Sequence, residues 1–250
     1  MTTFALISDL HANLEALTAV LARIDALGIA EVYCLGDVVG YGADPGACAE
    51  LVMERCRWTI MGNHDFGLFH DLRDFNPLAA EALVYSRRRL KPGLLGGRRR
   101  RVQAFLAGLP QRMEEHGFLF VHGSPRDPIM EYVLKSDGFL EPEKMAAIFA
   151  QIDRPCFVGH THWPGWHDAS FRFTQATDES RTLELPDGPI VVNVGSVGQP
   201  RDGDPRACFV VVDGRQVEFH RVSYDIRTAQ AKIVDAGLHQ ALADRLARGK

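Results

Sequence analysis

The amino-acid sequence predicts an α/β fold, in which buried strands alternate with amphipathic helices in one domain spanning residues 1–250. In the first quarter of the chain, short apolar runs are separated by helical stretches, which is the β-α-β-α-β order of a layered fold. Polar side chains also follow the apolar runs, as they do where strands end at a site. With 250 residues, 46% of them hydrophobic and 24% charged, the chain can form a full core.

The first three strands are predicted from apolar runs, and the helices between them from periodicity and capping residues. The strands are residues 4–7, 30–35 and 58–61. Residues 13–27 carry apolar side chains at helical spacing and end at Gly28, a common helix stop. A second helix begins at Pro45 with Asp44 as its predicted N-cap, since proline favours the first helical position.

The rest of the chain is predicted to contain further helices and strands. The helical segments are residues 77–109, 143–151 and 226–247, and the strands are residues 118–121, 156–158, 207–212 and 217–222. Two basic clusters, Arg87–Arg89 and Arg98–Arg101, fall in the first helical segment. Because no aromatic side chains interleave with them, they indicate a solvated helical face rather than a nucleic-acid patch.

Charge and cysteine content narrow the class of protein. A net charge of −4 gives no electrostatic footprint for nucleic acid or for an anionic membrane, so neither is expected as a partner. The five cysteines are odd in number and form no C-x-x-C pair, which argues against a disulfide framework. The start of the chain lacks the pattern of a signal peptide, and we expect a soluble cytoplasmic protein.

Two pairs of polar residues, each separated by one position, follow apolar runs. Asp9 and His11 come after the first strand, and His160 and His162 come after the run at residues 156–158. In an extended backbone, positions i and i+2 point the same way, so each pair can reach one ion. Asp9 can instead cap the following helix, with His11 as a loop histidine, whereas paired imidazoles at this spacing are recurrent metal ligands.

Five more polar residues follow predicted strands. Asp37 stands after a glycine in a turn, and its two oxygens can bridge two cations, although a turn aspartate bonded to its own backbone is common. Asn63 offers a neutral oxygen, His64 can donate a proton or stabilise charge, and Asp65 can orient the His64 imidazole. His122 directly follows a strand, where a lone histidine is more often structural than a ligand.

Together these residues mix oxygen and nitrogen donors in the way that sites for two divalent metals do. Because α/β folds build their sites at the carboxyl ends of strands, the shared position of the motifs predicts one such site. The donor set favours Mn, Fe, Zn, Ni or Co over Mg, which prefers an all-oxygen shell. The predicted metal ligands are Asp9, His11, Asp37, Asn63, His122, His160 and His162.

The order D-x-H, G-D, G-N-H-D, H and G-H-x-H, from Asp9 to His162, resembles the calcineurin-like metallophosphoesterase superfamily. The stretches at residues 36–42 and 193–201 are similar to its bacterial and archaeal YfcE-type phosphodiesterase branch. This resemblance implies an α/β fold with two β-sheets packed face to face, a β-sandwich flanked by helices. It also implies that His64 is the catalytic histidine, and Asp65 is grouped with it as a catalytic residue.

The resemblance further implies how two divalent metal ions would be shared among the ligands, with Asp37 as the bridge. The first ion would be held by Asp9, His11, Asp37 and His162, and the second by Asp37, Asn63, His122 and His160.

One motif departs from the better-known branches of the family. Protein serine/threonine phosphatases and dinucleoside tetraphosphate hydrolases carry G-D-x-V-D-R-G, whereas residues 36–42 of this chain read G-D-V-V-G-Y-G. The missing aspartate and arginine argue against those branches. Arg126 and Arg201 lie near motif segments and are the candidates for holding the substrate phosphate, although such arginines are usually surface residues.

The expected reaction is hydrolysis of a phosphodiester by a hydroxide that bridges two cations roughly 3.5–4 Å apart. His64 would protonate or stabilise the leaving oxygen. The expected substrate is a small phosphoester or a nucleotide. The alternatives are a protein or nucleotide phosphatase of the same fold, and a non-enzymatic scaffold that retains the metal site, as in the retromer complex.

Overall fold

The structure is a computed structural model that describes residues 3–93, 96–178 and 181–250. Its strands are β1 (Thr3–Ile7), β2 (Glu31–Cys34), β3 (Trp58–Thr59), β4 (Arg112–Glu115), β5 (Phe118–Val121), β6 (Pro155–Val158), β7 (Gly165–His167), β8 (Phe173–Gln175), β9 (Thr182–Glu184), β10 (Ile190–Asn193), β11 (Ala207–Asp213) and β12 (Gln216–Val222). Its helices are α1 (Leu14–Ala26), α2 (Pro45–Arg55), α3 (Asn63–Gly67), α4 (Pro77–Leu90), α5 (Gly97–Ala107), α6 (Asp137–Leu140), α7 (Pro142–Phe149), α8 (Ile226–Asp235) and α9 (Gln240–Leu246). Across the described ranges, no helix combines the length and the apolar character needed to cross a membrane.

The strands form two mixed sheets. In the first sheet the order is β3-β2-β1-β11-β12-β9, and β1, β2 and β3 are parallel to one another. In the second sheet the order is β4-β5-β6-β10-β7-β8, and β5, β6 and β10 are parallel. Parallel neighbours end at the same edge of a sheet, so each sheet gathers the carboxyl ends of three strands at one edge.

Apolar side chains from both sheets form one shared core. Phe4 and Leu6 of β1 and Tyr33 of β2 lie in the same buried cluster as Phe120 of β5 and Phe157 of β6. The ring centroids of Phe4 and Phe120 are 6.4 Å apart in an edge-to-face arrangement. Because the two sheets share this core, they pack face to face, and the predicted β-sandwich is confirmed.

Helices cover the outer faces of the sandwich. Ile7, one position beyond Leu6 along β1, points to the opposite side of the sheet and lies in a buried cluster with Val20 of α1. On the second sheet, Leu119 of β5 lies in a cluster with Met145 of α7. The predicted α/β architecture with flanking helices is therefore confirmed.

Several predicted element boundaries change in the structure. Asn13 caps α1, because its Oδ1 accepts a hydrogen bond from Ala16 N at 3.1 Å. Asp44 precedes α2 but makes no capping bond, and instead accepts from Lys232 Nζ at 2.9 Å. The terminal segment forms two helices rather than one, because Gly237 adopts a left-handed φ of +74° just after α8. Residues 77–109 likewise contain the two helices α4 and α5.

Backbone hydrogen bonds between loops connect the carboxyl ends of the two sheets. After β1, Ser8 O accepts a hydrogen bond from Val197 N, and Asp9 O accepts one from Gly198 N, each at 2.9 Å. Val197 and Gly198 follow β10 of the second sheet. The carboxyl ends of both sheets therefore lie at the same end of the sandwich, and polar side chains after these strands meet there.

Candidate metal centre

The seven predicted metal ligands lie together at this end of the sandwich. Asp9 follows β1, Asp37 follows β2, Asn63 follows β3, His122 follows β5 and His160 follows β6, with His11 and His162 two positions beyond Asp9 and His160. We call these seven residues the ligand cluster. All are buried, with relative exposures between 0% and 6%. Polar groups removed from water in this way need partners, because burial of an unpaired polar group is strongly unfavourable.

Five members of the ligand cluster have a left-handed backbone. The φ angles are +54° at Asp9 and Asp37, +47° at His11, +65° at His160 and +60° at His162. Each such non-glycine residue costs roughly 1–3 kcal/mol, and such residues concentrate at functional sites. The i, i+2 pairs therefore meet through left-handed turns, and not through the extended backbone that their spacing suggests.

Imidazole nitrogens of the ligand cluster converge on carboxylate oxygens. His162 Nε2 lies 3.2 Å from Asp9 Oδ1, whereas His11 Nε2 and His122 Nε2 lie 3.6 Å and 3.5 Å from Asp37 Oδ2. Asn63 Oδ1 lies 3.3 Å from His122 Nε2. Among the described residues, donor atoms within 4.8 Å of one another form three groups, which are Asp9 with His11 and His162, His11 with Asp37 and His64, and Asp37 with His122 and His160. Asp37 thus stands between two groups of donors.

Asp9 and Asp37 each use one carboxylate oxygen to hold the backbone. Asp9 Oδ2 accepts a hydrogen bond from His160 N at 3.1 Å, and Asp37 Oδ1 accepts one from His64 N at 2.8 Å. Asp9 Oδ1 is buried and has no hydrogen-bond partner among the described residues. The remaining oxygen of each aspartate faces the imidazoles, in the position that a cation would need.

Backbone carbonyls fix the orientation of the four imidazoles. His11 Nδ1 lies 3.2 Å from Val39 O, His122 Nδ1 lies 2.8 Å from Leu35 O, His162 Nδ1 lies 2.5 Å from Gln199 O, and His160 Nε2 lies 3.2 Å from Met130 O. A carbonyl only accepts, so each of these nitrogens carries the proton and donates. In His11, His160 and His162, whose pKa values burial lowers, the other ring nitrogen then presents a lone pair, which is how histidine ligands of metals are usually arranged.

The donor set fits a divalent metal. His11 Nε2 and His162 Nε2 lie 3.0 Å apart, and neither carries a proton when the opposite nitrogen donates to a carbonyl. Two lone pairs at this distance repel each other, and so do the nearby carboxylate oxygens. A cation between these atoms would turn the repulsion into attraction, and it would also satisfy the unpartnered Asp9 Oδ1.

Burial and neighbouring charges shift the ionisation of the cluster. Burial alone would raise the pKa of Asp37, but the imidazoles of His122 and His64 hold it well below its usual range. Burial also opposes protonation of His122, yet the Asp37 carboxylate raises the pKa of His122 to about 9. Burial, reinforced by His122, lowers the pKa of His160 to about 3. The aspartate that both donor groups approach is therefore negatively charged at neutral pH.

The predicted catalytic histidine lies at the edge of the ligand cluster. The ring centroid of His64 is 4.7 Å from that of His11 and 4.6 Å from that of Tyr41. Its Nδ1 has no hydrogen-bond partner among the described residues and faces Gly40, where a Cβ would come within 2.2 Å. Burial, opposed by Asp37 and reinforced by Arg201, lowers the pKa of His64 to about 4. The imidazole is therefore neutral at pH 7.

Asp65 has a different position from the predicted one. Its Oδ1 accepts hydrogen bonds from Val38 N at 3.0 Å and Val39 N at 3.3 Å, and its Oδ2 accepts from Gly62 N at 3.2 Å. Both oxygens are thus engaged with the backbone, and the predicted contact with the His64 imidazole is replaced by these bonds. Asp65 holds the loop after β2, which carries Asp37, against the start of α3.

The two candidate phosphate-binding arginines occupy different environments. Arg201 Nη2 donates to Gln199 Oε1 at 3.1 Å and lies 3.5 Å from Tyr41 OH, and its charge lowers the pKa of His64. Arg201 therefore lies beside the ligand cluster. Arg126 instead forms an ion pair with Glu131, and its side chain is 43% exposed. This pair braces the loop after β5, and it engages the guanidinium with a carboxylate of the protein.

Several residues that support the cluster have no predicted role. Asn193 Nδ2 donates to Thr161 Oγ1 at 2.8 Å, and Ser196 Oγ donates to Asp9 O at 2.8 Å. These bonds fix the left-handed turns that carry His160 and Asp9. The resemblance of residues 193–201 to a family stretch is the only sequence signal that marks them.

Comparison with known proteins finds a family, a related sequence and two solved structures that this chain is similar to. The family described as the calcineurin-like phosphoesterase superfamily domain matches residues 2–216. An uncharacterized protein of Methanocaldococcus jannaschii is 36% identical over 263 aligned residues, which cover 98% of each chain. The crystal structure of a metallophosphoesterase from Sphaerobacter thermophilus is 37% identical, with a TM-score of 0.84 and coverage of 100% of this chain and 99% of that one. A hypothetical protein from Pyrococcus horikoshii shares the fold, with a TM-score of 0.74, 21% identity, and coverage of 100% and 99%.

Proposed function

The chain belongs to the calcineurin-like phosphoesterase superfamily, and from this premise we propose that it hydrolyses phosphodiesters with two divalent metal ions. The observation that carries the proposal is that the two carboxylate oxygens of Asp9, and likewise those of Asp37, have different partners. Each binds the backbone through one oxygen and turns the other toward imidazole nitrogens, of which those of His162 and His11 carry no proton. A purely structural aspartate would have no reason to keep a buried oxygen without a partner.

The two donor groups correspond to the two predicted ions. Asp9, His11 and His162 would hold the first, His122, His160 and Asn63 would hold the second, and Asp37 would belong to both. A set of nitrogen and oxygen donors suits Mn, Fe, Zn, Ni or Co. When bound, two such cations activate a water as the nucleophile and offset the charge that develops on the phosphate oxygens.

His64 and Arg201 are the side chains placed to act on the substrate directly. Because the His64 imidazole is neutral at pH 7, its N–H can donate a hydrogen bond to the leaving oxygen and stabilise the charge that forms there. This favours charge stabilisation over full proton donation, the two roles predicted for His64. Arg201 can hold a non-bridging phosphate oxygen, and Gln199 and Tyr41 restrain its guanidinium.

The charge beside the ligand cluster favours a diester over a monoester. Residues 36–42 supply no arginine, and Arg201 is the arginine whose charge acts on both His64 and His162. A phosphodiester carries one negative charge at neutral pH, whereas a monoester carries nearly two. One guanidinium matches the diester more closely.

The proposal is tested by hydrolysis of bis-p-nitrophenyl phosphate beside p-nitrophenyl phosphate, with metal-stripped protein resupplied with Mn, Ni, Zn or Mg. We expect diester cleavage that depends on a transition metal and on His64, with slower cleavage of the monoester. A preference for the monoester would identify a phosphatase instead. Absence of turnover with every metal, in protein that binds two ions, would contradict hydrolysis and favour a scaffold.

A further inference from the structure

An exposed tyrosine lies directly against one of the predicted ligands. The ring of Tyr132 stacks on the His160 imidazole, with centroids 3.7 Å apart and planes inclined by 24°. Tyr132 nevertheless remains 43% exposed. A stacked partner covers one face of an aromatic ring, so the exposed part of Tyr132 comprises the opposite face and the edges. This free face lies one ring thickness from the ligand cluster.

The loop that carries Tyr132 is held firmly on both sides of this residue. Gly123 N donates to Pro128 O at 2.8 Å, and Met130 O accepts from His160 Nε2 at 3.2 Å. Glu131 accepts hydrogen bonds from Ser124 and from Arg126, while Val133 is buried. The ring is therefore presented in a fixed position, and binding of a ligand to it would require little ordering of the chain.

Cationic and aromatic side chains follow Tyr132 along its loop and border the ligand cluster. Lys135, three positions after Tyr132, has its Nζ 3.5 Å above the ring of Trp163, which directly follows His162. Arg201 lies 5.8 Å from the ring of Tyr41, and the Tyr41 ring packs 4.6 Å from that of His11. Nearby acids are engaged elsewhere, since Glu131 pairs with Arg126 and Asp137 pairs with Lys144. An anion with a planar aromatic group finds both kinds of partner here.

We propose that Tyr132 is a stacking platform that binds the aromatic base of a nucleotide while the attached phosphate lies at the ligand cluster. The preferred substrates would then be phosphodiesters of nucleosides rather than diesters whose two substituents are aliphatic. The substrate class rests on the proposed hydrolysis of diesters, whereas the stacking itself is a binding property and can be measured without turnover. Stacking suits this role because every base offers a flat face, which an aromatic side chain recognises irrespective of sequence.

The test measures the binding of adenosine 5′-monophosphate and of ribose 5-phosphate to manganese-loaded protein by isothermal titration calorimetry. The two probes share the sugar and the phosphate and differ in the base. The variants are Tyr132→Phe, which keeps the aromatic ring, and Tyr132→Leu, which removes it. Phe139→Leu is the matched control, because Phe139 is an aromatic residue on α6 that is 88% exposed.

We expect the wild type, Tyr132→Phe and Phe139→Leu to bind adenosine monophosphate more tightly than ribose 5-phosphate by roughly tenfold or more. In Tyr132→Leu this preference should disappear, while the affinity for ribose 5-phosphate stays unchanged. Equal affinities in the wild type, no binding of adenosine monophosphate, or a preference that survives in Tyr132→Leu would overturn the proposal. An equal loss for both probes in Tyr132→Leu would also overturn it, because Tyr132 would then only support His160.

Turnover of bis-p-nitrophenyl phosphate, measured on the same preparations, separates this inference from the proposed function. Turnover without a preference for the base would overturn the stacking role and leave the hydrolysis intact. A preference for the base without turnover would support the stacking role and contradict the hydrolysis.

Discussion

The two ends of the sandwich contain similar residue types. They differ in whether the hydrogen-bonding and charged groups of those residues have partners. At the carboxyl ends of the parallel strands, Asp9 Oδ1 has no hydrogen-bond partner among the described residues, and His11 Nε2 and His162 Nε2 carry no proton. At the amino ends, Tyr33 OH donates to Glu31 Oε2 at 2.6 Å and lies 3.0 Å from His116 Nε2. Both ends therefore contain acids, histidines and aromatic rings.

The polar residues at the amino ends form hydrogen bonds and ion pairs with one another. Trp58 Nε1 donates to Glu115 Oε2, and Arg57 forms ion pairs with Glu31 and Glu115. We call these residues, together with Tyr33 and His116, the amino-end network. Each acid of the network has both a cationic partner and a hydrogen-bond donor, whereas in the ligand cluster negative charge and free lone pairs point at one another. The difference shows that unsatisfied buried atoms, more than the mere presence of acids and histidines, distinguish a ligand site from a structural network.

Loss of the carboxylate proposed as the bridge should have the largest effect. We expect Asp37→Ala to lose bound metal and to reduce diester turnover to background, because Asp37 Oδ2 approaches both His11 and His122, one from each proposed ligand set. Metal content by plasma mass spectrometry and turnover on the same sample test this. Glu31→Ala in the amino-end network is the matched control and should retain both. Full metal content in Asp37→Ala would exclude the bridging role.

Removal of the imidazole proposed to act in catalysis should have the next largest effect. We expect His64→Ala to keep its metal and to lower kcat by about 100-fold or more, the usual scale for such a group. His64→Asn, which fills more of the buried space, shows whether packing contributes to the loss. Wild-type turnover in His64→Ala, with unchanged metal content, would remove His64 from the mechanism.

The two arginines should differ in their effect on catalysis. Arg201→Ala should lower kcat/KM for the diester by about 10- to 100-fold, the range for loss of a charge-assisted hydrogen bond to the substrate. Arg126→Ala should leave kcat/KM unchanged, because this side chain is paired with Glu131. Steady-state kinetics of both variants decide the matter, and equal losses would show that Arg126 also contacts the substrate.

The smallest effect should come from the amino-end network. Tyr33→Phe removes the hydroxyl that donates to Glu31 and should destabilise the fold by about 1 kcal/mol, the net value of one hydrogen bond. In a domain of this size that corresponds to a fall in melting temperature of about 2–4 °C. Calorimetry measures the shift, and turnover at 25 °C should be unchanged. A loss of turnover would show that the two ends are coupled.

Much of the fold and of the candidate site can be predicted from the sequence, because both depend on apolar runs and on the polar residues at their ends. The runs before Asp9, Asp37 and His122 predict strands, and the carboxyl ends of parallel strands meet at one edge. A histidine such as His122 is ambiguous alone, and only its shared position with the other motifs indicates a ligand. The superfamily predicted from these motifs is confirmed, whereas the individual ligand roles stay predictions.

The parts that could not be predicted depend on backbone atoms and on contacts far apart in the sequence. The carbonyls of Leu35, Val39 and Gln199 orient three imidazoles, but every residue has a carbonyl, so no residue type marks them. The predicted role of Asp65 fails for the same reason, because its partners are backbone N–H groups. The stacking of Tyr132 on His160 joins two loops that the sequence does not relate.

Some bonds that hold the ligand cluster also run from one sheet to the other. His160 N, after β6, donates to Asp9 Oδ2, after β1, and His122 Nδ1, after β5, donates to Leu35 O, after β2. The hydrophobic effect that drives burial of the core between the sheets is not directional, so bonds such as these help to fix how the two layers lie on one another. The ligand cluster therefore fastens the two layers to each other at one end of the sandwich. The amino-end network also joins the two sheets, through Glu115, but its charged side chains are partly exposed, so spontaneous opening of the sandwich should start at that end.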